Sequence, residues 1–71
     1  MKCFRYLVDS KAARISEAYA QRKAVPTEAA IEQFLGSSTY RALSDAETGM
    51  YLEVFEFVYD MFLEEMGEVV E

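Results

Sequence analysis

Apolar residues recur at intervals of three and four through the first part of the chain. Phe4, Leu7, Val8, Ala12, Ile15, Ala18 and Tyr19 project, at about 100° per residue, into one arc of about 140°, the mark of an amphipathic helix. Ala12, Ala13, Ala18 and Ala20 add strong helix propensity. The helix must stop before Pro26, because a residue preceding proline is pushed out of the helical region. Thr27 then reads as an N-cap, with Glu28 favourable in the first turn. Ala30, Ile31, Phe34 and Leu35 mark a short second helix, and Gly36 reads as a left-handed stop. Ser37 and Ser38 are placed to cap a further short helical turn from Thr39 to Leu43.

The pattern is less decided after Leu43. Ser44-Asp45-Ala46-Glu47 has capping-box spacing, but Gly49 follows so soon that a compact turn fits equally well. Gly49 itself is expected to supply a positive φ. Met50-Tyr51-Leu52 reads either as an extended approach to the last helix or as its first turn, so the helix starts near Asp45 or near Glu53. From Glu53 to Met66 the helical period is strong. Glu53, Glu56, Asp60 and Glu64 fall in one stripe about 80° wide, and apolar residues fill the remaining ~240°. An ordinary surface helix has an apolar stripe of little over ~100°. This helix is therefore expected to be central, with one wet edge and more apolar surface than its neighbours can cover. The predicted fold is all-α: one domain over residues 1–71, a small bundle of three to four helices with a short extended segment near 49–52.

Composition tightens that picture. Seventy-one residues lie near the lower size for an unstapled domain. One cysteine, Cys3, excludes an internal disulfide, and the absence of histidine removes the usual zinc sets. Ten aromatics and 52% apolar residues argue against disorder. No apolar run approaches the ~20 residues of a membrane span, and the first residues, where charges recur early, do not read as a signal peptide. A reducing cytosol is the expected compartment. Charge is polarised: residues 1–23 hold six bases against Asp9 and Glu17, a net +4, and residues 24–71 hold Arg41 against eleven acids, a net −10. Either the basic first helix packs beside the acidic last one, or the acidic half meets a basic partner.

Chemistry finds little support in these residues. General acid–base work without histidine would need carboxylates, lysine or tyrosine displaced by burial. Glu53, Glu56, Asp60 and Glu64 have metal-compatible spacing, but carboxylate metal sites in bundles draw on several inward-facing helices. Lys2 and Arg5 could lower the Cys3 pKa, yet no base or orienting partner is in view. No enzyme, cofactor or metal site is expected.

Two resemblances bear on function. Ala29 to Leu43 resembles the Leu-Gly-turn-Ser/Thr-Tyr-Arg-x-Leu run of bacterial helix-turn-helix repressors. Ser38, Thr39, Tyr40 and Arg41 would then be the residues that meet nucleic acid. The turn after Gly36 is short for that motif, and Arg41 is the one base after Lys23, which sets a repulsive field against phosphates. Phe34-Leu35-Gly36-Ser37-Ser38-Thr39-Tyr40, with Leu43, Asp45, Thr48-Gly49, Tyr51-Leu52, Phe57-Val58-Tyr59-Asp60 and Glu64-Glu65, is similar to a family of small uncharacterised bacterial helical proteins. Its pattern is Ser-x-Thr-Tyr, Asp-x-x-Thr-Gly and Tyr-Val-x-Asp, covering roughly residues 15 to 65. Some such proteins sit near ADP-ribosyltransferase-like toxins, which implies an accessory or antitoxin-like partner and no catalytic residue. The leading expectation is a non-enzymatic protein-interaction module, self-associating as a homo-oligomer through Phe55, Val58, Tyr59 and Phe62 of the last helix. A helix-turn-helix-like DNA-binding regulator or antitoxin-type component is the alternative.

Overall fold

The computed structural model describes residues 2–68, with side chains from Phe4 onward. Among these residues there are four α-helices and two 3-10 turns and no strand. They are α1 (Lys2–Lys23), α2 (Thr27–Leu35), α3 (Ser38–Leu43), the turns Ala46–Thr48 and Met50–Leu52, and α4 (Phe55–Glu65). The all-α bundle expected from the apolar periodicity is the fold observed. The Cys3 thiol lies outside the described side chains.

The 22 residues of α1 span about 33 Å at 1.5 Å per residue, close to the longest dimension of the molecule, 35 Å. This helix is the spine. Its inward positions Val8, Ile15, Ser16, Tyr19 and Ala20 are buried. Proline ends the helix as expected, but the turn itself is made by Ala24, at φ 57. The Val25 N–H donates to the Ala20 carbonyl at 3.0 Å, which closes a Schellman cap. The same motif ends α4, where Gly67 takes φ 79 and the Glu68 N–H donates to the Leu63 carbonyl at 2.8 Å.

Several local expectations shift by a residue or a conformation. Pro26, not Thr27, is the N-cap of α2, because its carbonyl already accepts from the N–H groups of Ala29 and Ala30 and Thr27 is inside the helix. Gly36 ends α2 at φ −91 rather than in the left-handed region; the Ser37 N–H reaches back to the Phe34 carbonyl at 3.0 Å, so the chain enters α3 without reversing φ. Ser37 caps α3, its hydroxyl accepting from the Tyr40 N–H at 3.1 Å. Asp45 caps the compact Ala46–Thr48 turn, and Gly49 beyond it takes φ 71. Met50–Leu52 is neither extended nor the first turn of α4. It is a separate 3-10 turn, set apart from α4 by extended Glu53 and Val54 (ψ 159 and 157).

The core is a chain of edge-to-face rings. Phe62 of α4 meets Tyr19 of α1 at 4.9 Å and Phe34 of α2 at 5.0 Å, and Phe34 meets Tyr40 of α3 at 5.5 Å. Phe34 and Phe62 are both fully buried, with Leu43, Val8, Ile15 and Val58 around them. The contacts between α1 and the last third advance together along both segments. Phe4 packs on Tyr51, Arg14 on Phe55, Tyr19 on Phe62 and Lys23 on Glu68, so α4 runs parallel to α1.

Replacing Phe62 with Ala is expected to cost about 3–5 kcal/mol, as much as a core this small usually supplies. Far-ultraviolet circular dichroism at 25 °C should show the variant largely unfolded. Of the three left-handed positions among the described residues, Gly49 and Ala24 predict opposite signs. Gly49→Ala should destabilise by about 1 kcal/mol or more, and Ala24→Gly should stabilise by up to about 1 kcal/mol; urea titration of the two variants measures both.

Candidate functional site

The surfaces of α4 divide its residues into three groups. The inward side carries Val58, Phe62 and Leu63, all buried, with Phe55, Tyr59 and Met66 partly buried against the core. Phe55 and Tyr59 stack at 5.3 Å with their planes 18° apart, and the Arg14 guanidinium lies 4.6 Å above the Phe55 ring, a cation–π arrangement. Of the four residues expected at an interface, Val58 and Phe62 are thus interior to the chain, and Phe55 and Tyr59 are half-buried. For Val58 and Phe62 that assignment is corrected. A helical projection gives relative directions around α4, but not which apolar flank the other helices will occupy.

The outward side carries the acidic residues Glu56, Asp60 and Glu64, all exposed, and exposed Glu53 lies in the extended segment before the helix. Beside them lie the apolar residues left uncovered: Val54 is 64% exposed, Phe57 47% and Met61 36%, with Leu52 just before them at 68%. Phe57 and Met61 stand at i and i+4, one turn apart on the same side of α4, and exposed Val54 and Leu52 lie just before the helix in the chain. An available signal pointed here. On the projection Phe57 and Leu63 stand on the two flanks of the acidic stripe; packing covers Leu63 and leaves Phe57.

The third side faces α3 and depends on Glu65. Its carboxylate accepts from the Ser38 N–H at 2.7 Å, from the Thr39 N–H at 2.9 Å and from the Thr39 hydroxyl at 2.7 Å. A side chain from α4 thereby satisfies the orphan donors that begin α3. Burial opposes the charge on Glu65, but the bonds from Ser38 and Thr39 outweigh it and hold the carboxyl below the usual glutamate range. Nothing in the sequence pattern singled out Glu65, because the contact joins residues 26 positions apart. Next to it an open groove of about 510 Å³ runs between α3 and α4, lined by Ser38, Thr39, Ala42, Met61, Glu64 and Glu65.

The α3 residues expected to meet nucleic acid are not presented together. Thr39 is buried beneath Glu65, and the Tyr40 hydroxyl accepts from Arg5 at 3.1 Å while its ring packs on Phe34. Ser38 and Arg41 alone of the four are exposed. A carboxylate sits where a phosphate would approach, so the arrangement does not favour a DNA-reading helix. Nor do the other bases gather around Arg41. Lys11 donates to the Tyr51 carbonyl at 3.1 Å, Arg14 covers Phe55, and Arg22 and Lys23 pair with Glu68 at 3.5 and 2.6 Å. The basic first helix does lie beside the last third of the chain, but it engages Tyr51, Phe55 and Glu68 and leaves the acidic stripe alone.

No group of three histidine, cysteine, aspartate or glutamate residues that could hold a metal occurs among the described residues. No helix there is long and apolar enough to cross a membrane.

The Glu65 contact carries a pH signature. Glu65 and Glu68 both have carboxyls held below their ordinary values, Glu68 by the Lys23 hydrogen bond first. A depressed folded-state pKa contributes stability that is present above the unfolded value, about 4.3, and lost as pH falls through the folded one. Thermal stability should therefore decline below about pH 4.5, and Glu65→Gln should make that decline shallower. At neutral pH Glu65→Ala should cost about 1–2 kcal/mol, the scale of a lost helix cap with donors left unpaired, read by urea denaturation.

Comparison with family models, with curated proteins and with solved structures gave no match.

Proposed function

We propose that this chain is a non-enzymatic protein-interaction module of the bacterial cytosol, and that it docks on another polypeptide through the outer side of α4. The observation that carries the reading is the strip Val54, Phe57 and Met61, continued by Leu52. Single exposed apolar residues are ordinary on a protein surface; a group of large ones, two on one side of α4 and two in the segment leading into it, supports contact with another chain. Each of these side chains is already partly covered, so closing the surface recovers a fraction of the roughly 1.5–3 kcal/mol of a full burial, which favours association. The chain's own helices already occupy the opposite side of α4, around Phe62.

An accessory or antitoxin-like role, which the sequence resemblance implies, is part of the same proposal. Self-association is one form of the same reading, since a second copy could cover the strip isologously.

The test compares the wild-type chain with the double variant Phe57→Glu, Met61→Glu. Both are purified from the native host under mild conditions, characterised by mass spectrometry, and then sedimented over a range of concentrations. The expected result is that the wild type retains either itself or a discrete partner, and that the double variant loses it while melting as the wild type does. A monomeric wild type whose co-purifying set is unchanged by the double variant would refute the reading.

A further inference from the structure

The outer face of α4 sets two unlike surfaces side by side. One is apolar, Phe57 and Met61 with Val54 just before the helix, and it is bordered by the α3–α4 groove that Ala42 and Met61 share. The other is the acidic stripe Glu56, Asp60 and Glu64, with Glu53 just before the helix, and none of the four takes part in an ion pair among the described residues. The bases of the chain are engaged elsewhere. Arg5 holds Asp9 and Tyr40, Lys11 holds the Tyr51 carbonyl, Arg14 covers Phe55, and Arg22 and Lys23 hold Glu68. Of the described basic side chains, Arg41 alone makes no such contact, and it stands on α3.

That distribution bears on what covers the strip. A second copy of a chain with net charge −6 would bring mainly further carboxylates to four that are already unpaired, and like charges across an interface cost affinity. The missing complement is cationic. Phe57 and Met61, one turn apart on α4 beside the α3–α4 groove, offer an apolar surface of the kind against which an amphipathic helix lays its apolar side.

Resting on the interaction reading above, we propose that the outer face of α4 docks a basic amphipathic helix of a different protein. Its apolar side covers Val54, Phe57 and Met61, and its lysines or arginines run along Glu53, Glu56, Asp60 and Glu64.

The full chain is titrated against a fluorescently labelled synthetic peptide of about 18 residues, with leucines at helical spacing and lysines on the flanks. Two controls are a scramble of the same composition and a counterpart with glutamate in place of lysine. Anisotropy should show the patterned basic peptide binding about tenfold more tightly than the scramble, with affinity falling as salt rises. The triple variant Glu56→Gln, Asp60→Asn, Glu64→Gln should weaken binding by about tenfold and flatten the salt dependence. Equal binding of the scramble, equal binding of the acidic counterpart, no binding at all, or indifference to the triple variant would each overturn the proposal. A wild-type dimer that Phe57→Glu, Met61→Glu dissociates and the basic peptide leaves intact would overturn it too, while keeping the interaction reading. If the double variant alters neither peptide binding nor partner retention, both fall.

Discussion

The edge-to-face pair of Phe34 and Phe62, 5.0 Å apart and wholly buried, is the contact on which the other elements converge. Tyr19 reaches it from α1 and Tyr40 from α3, so one small aromatic cluster touches all four helices. The short helices α2 and α3, of nine and six residues, are below the length at which helices persist alone in water. They hold their form because each delivers a ring to this cluster. Aromatic side chains bury large areas and prefer these tilted arrangements over flat sandwiches, which suits a domain with little room for a layered core.

Around that cluster, polar contacts fix the directions of the elements. Glu65 is the most consequential, since it joins the end of α4 to the beginning of α3 through three hydrogen bonds. Burial of one ring and capping by one carboxylate thus fix neighbouring sides of α4. Arg22 and Lys23, closing on Glu68, then secure the chain beyond the Gly67 turn. With those sides occupied, only one direction around α4 stays open, and it holds both the apolar strip and the acidic stripe. The candidate interaction face is the remainder left by the packing.

The same arrangement explains why charge polarity along the chain does not become simple attraction between its halves. The bases of α1 reach a carbonyl, a ring face and the carboxylate of Glu68. Lysine and arginine stems can cover apolar surface while their heads find local acceptors, and these acceptors lie on the flank of the 51–68 run that packs against α1. The stripe of Glu56, Asp60 and Glu64 faces the other way and keeps its charge for the solvent or for a partner.

The helical class, the long first helix, the break at Pro26, the cap by Ser37, the turn at Gly49 and the wet edge of α4 were all legible in the sequence. Each follows from periodicity, propensity or a local hydrogen bond, and such forces act over a few neighbouring residues. The left-handed Ala24 was not legible, because propensity would put glycine there and the Schellman closure overrides it. The Met50–Leu52 turn was missed for a related reason: strand-like residues yielded to the packing of Met50 and Tyr51 against the core. The site depended on tertiary structure most of all. The apolar arc of α4 was visible in one dimension, but Val58 and Phe62 were turned inward, Phe57 and Met61 outward, and Glu65 toward Ser38 and Thr39 by contacts with residues distant in sequence. A sequence pattern determines how much apolar surface a helix carries; which part of it stays wet is decided when the neighbouring helices pack.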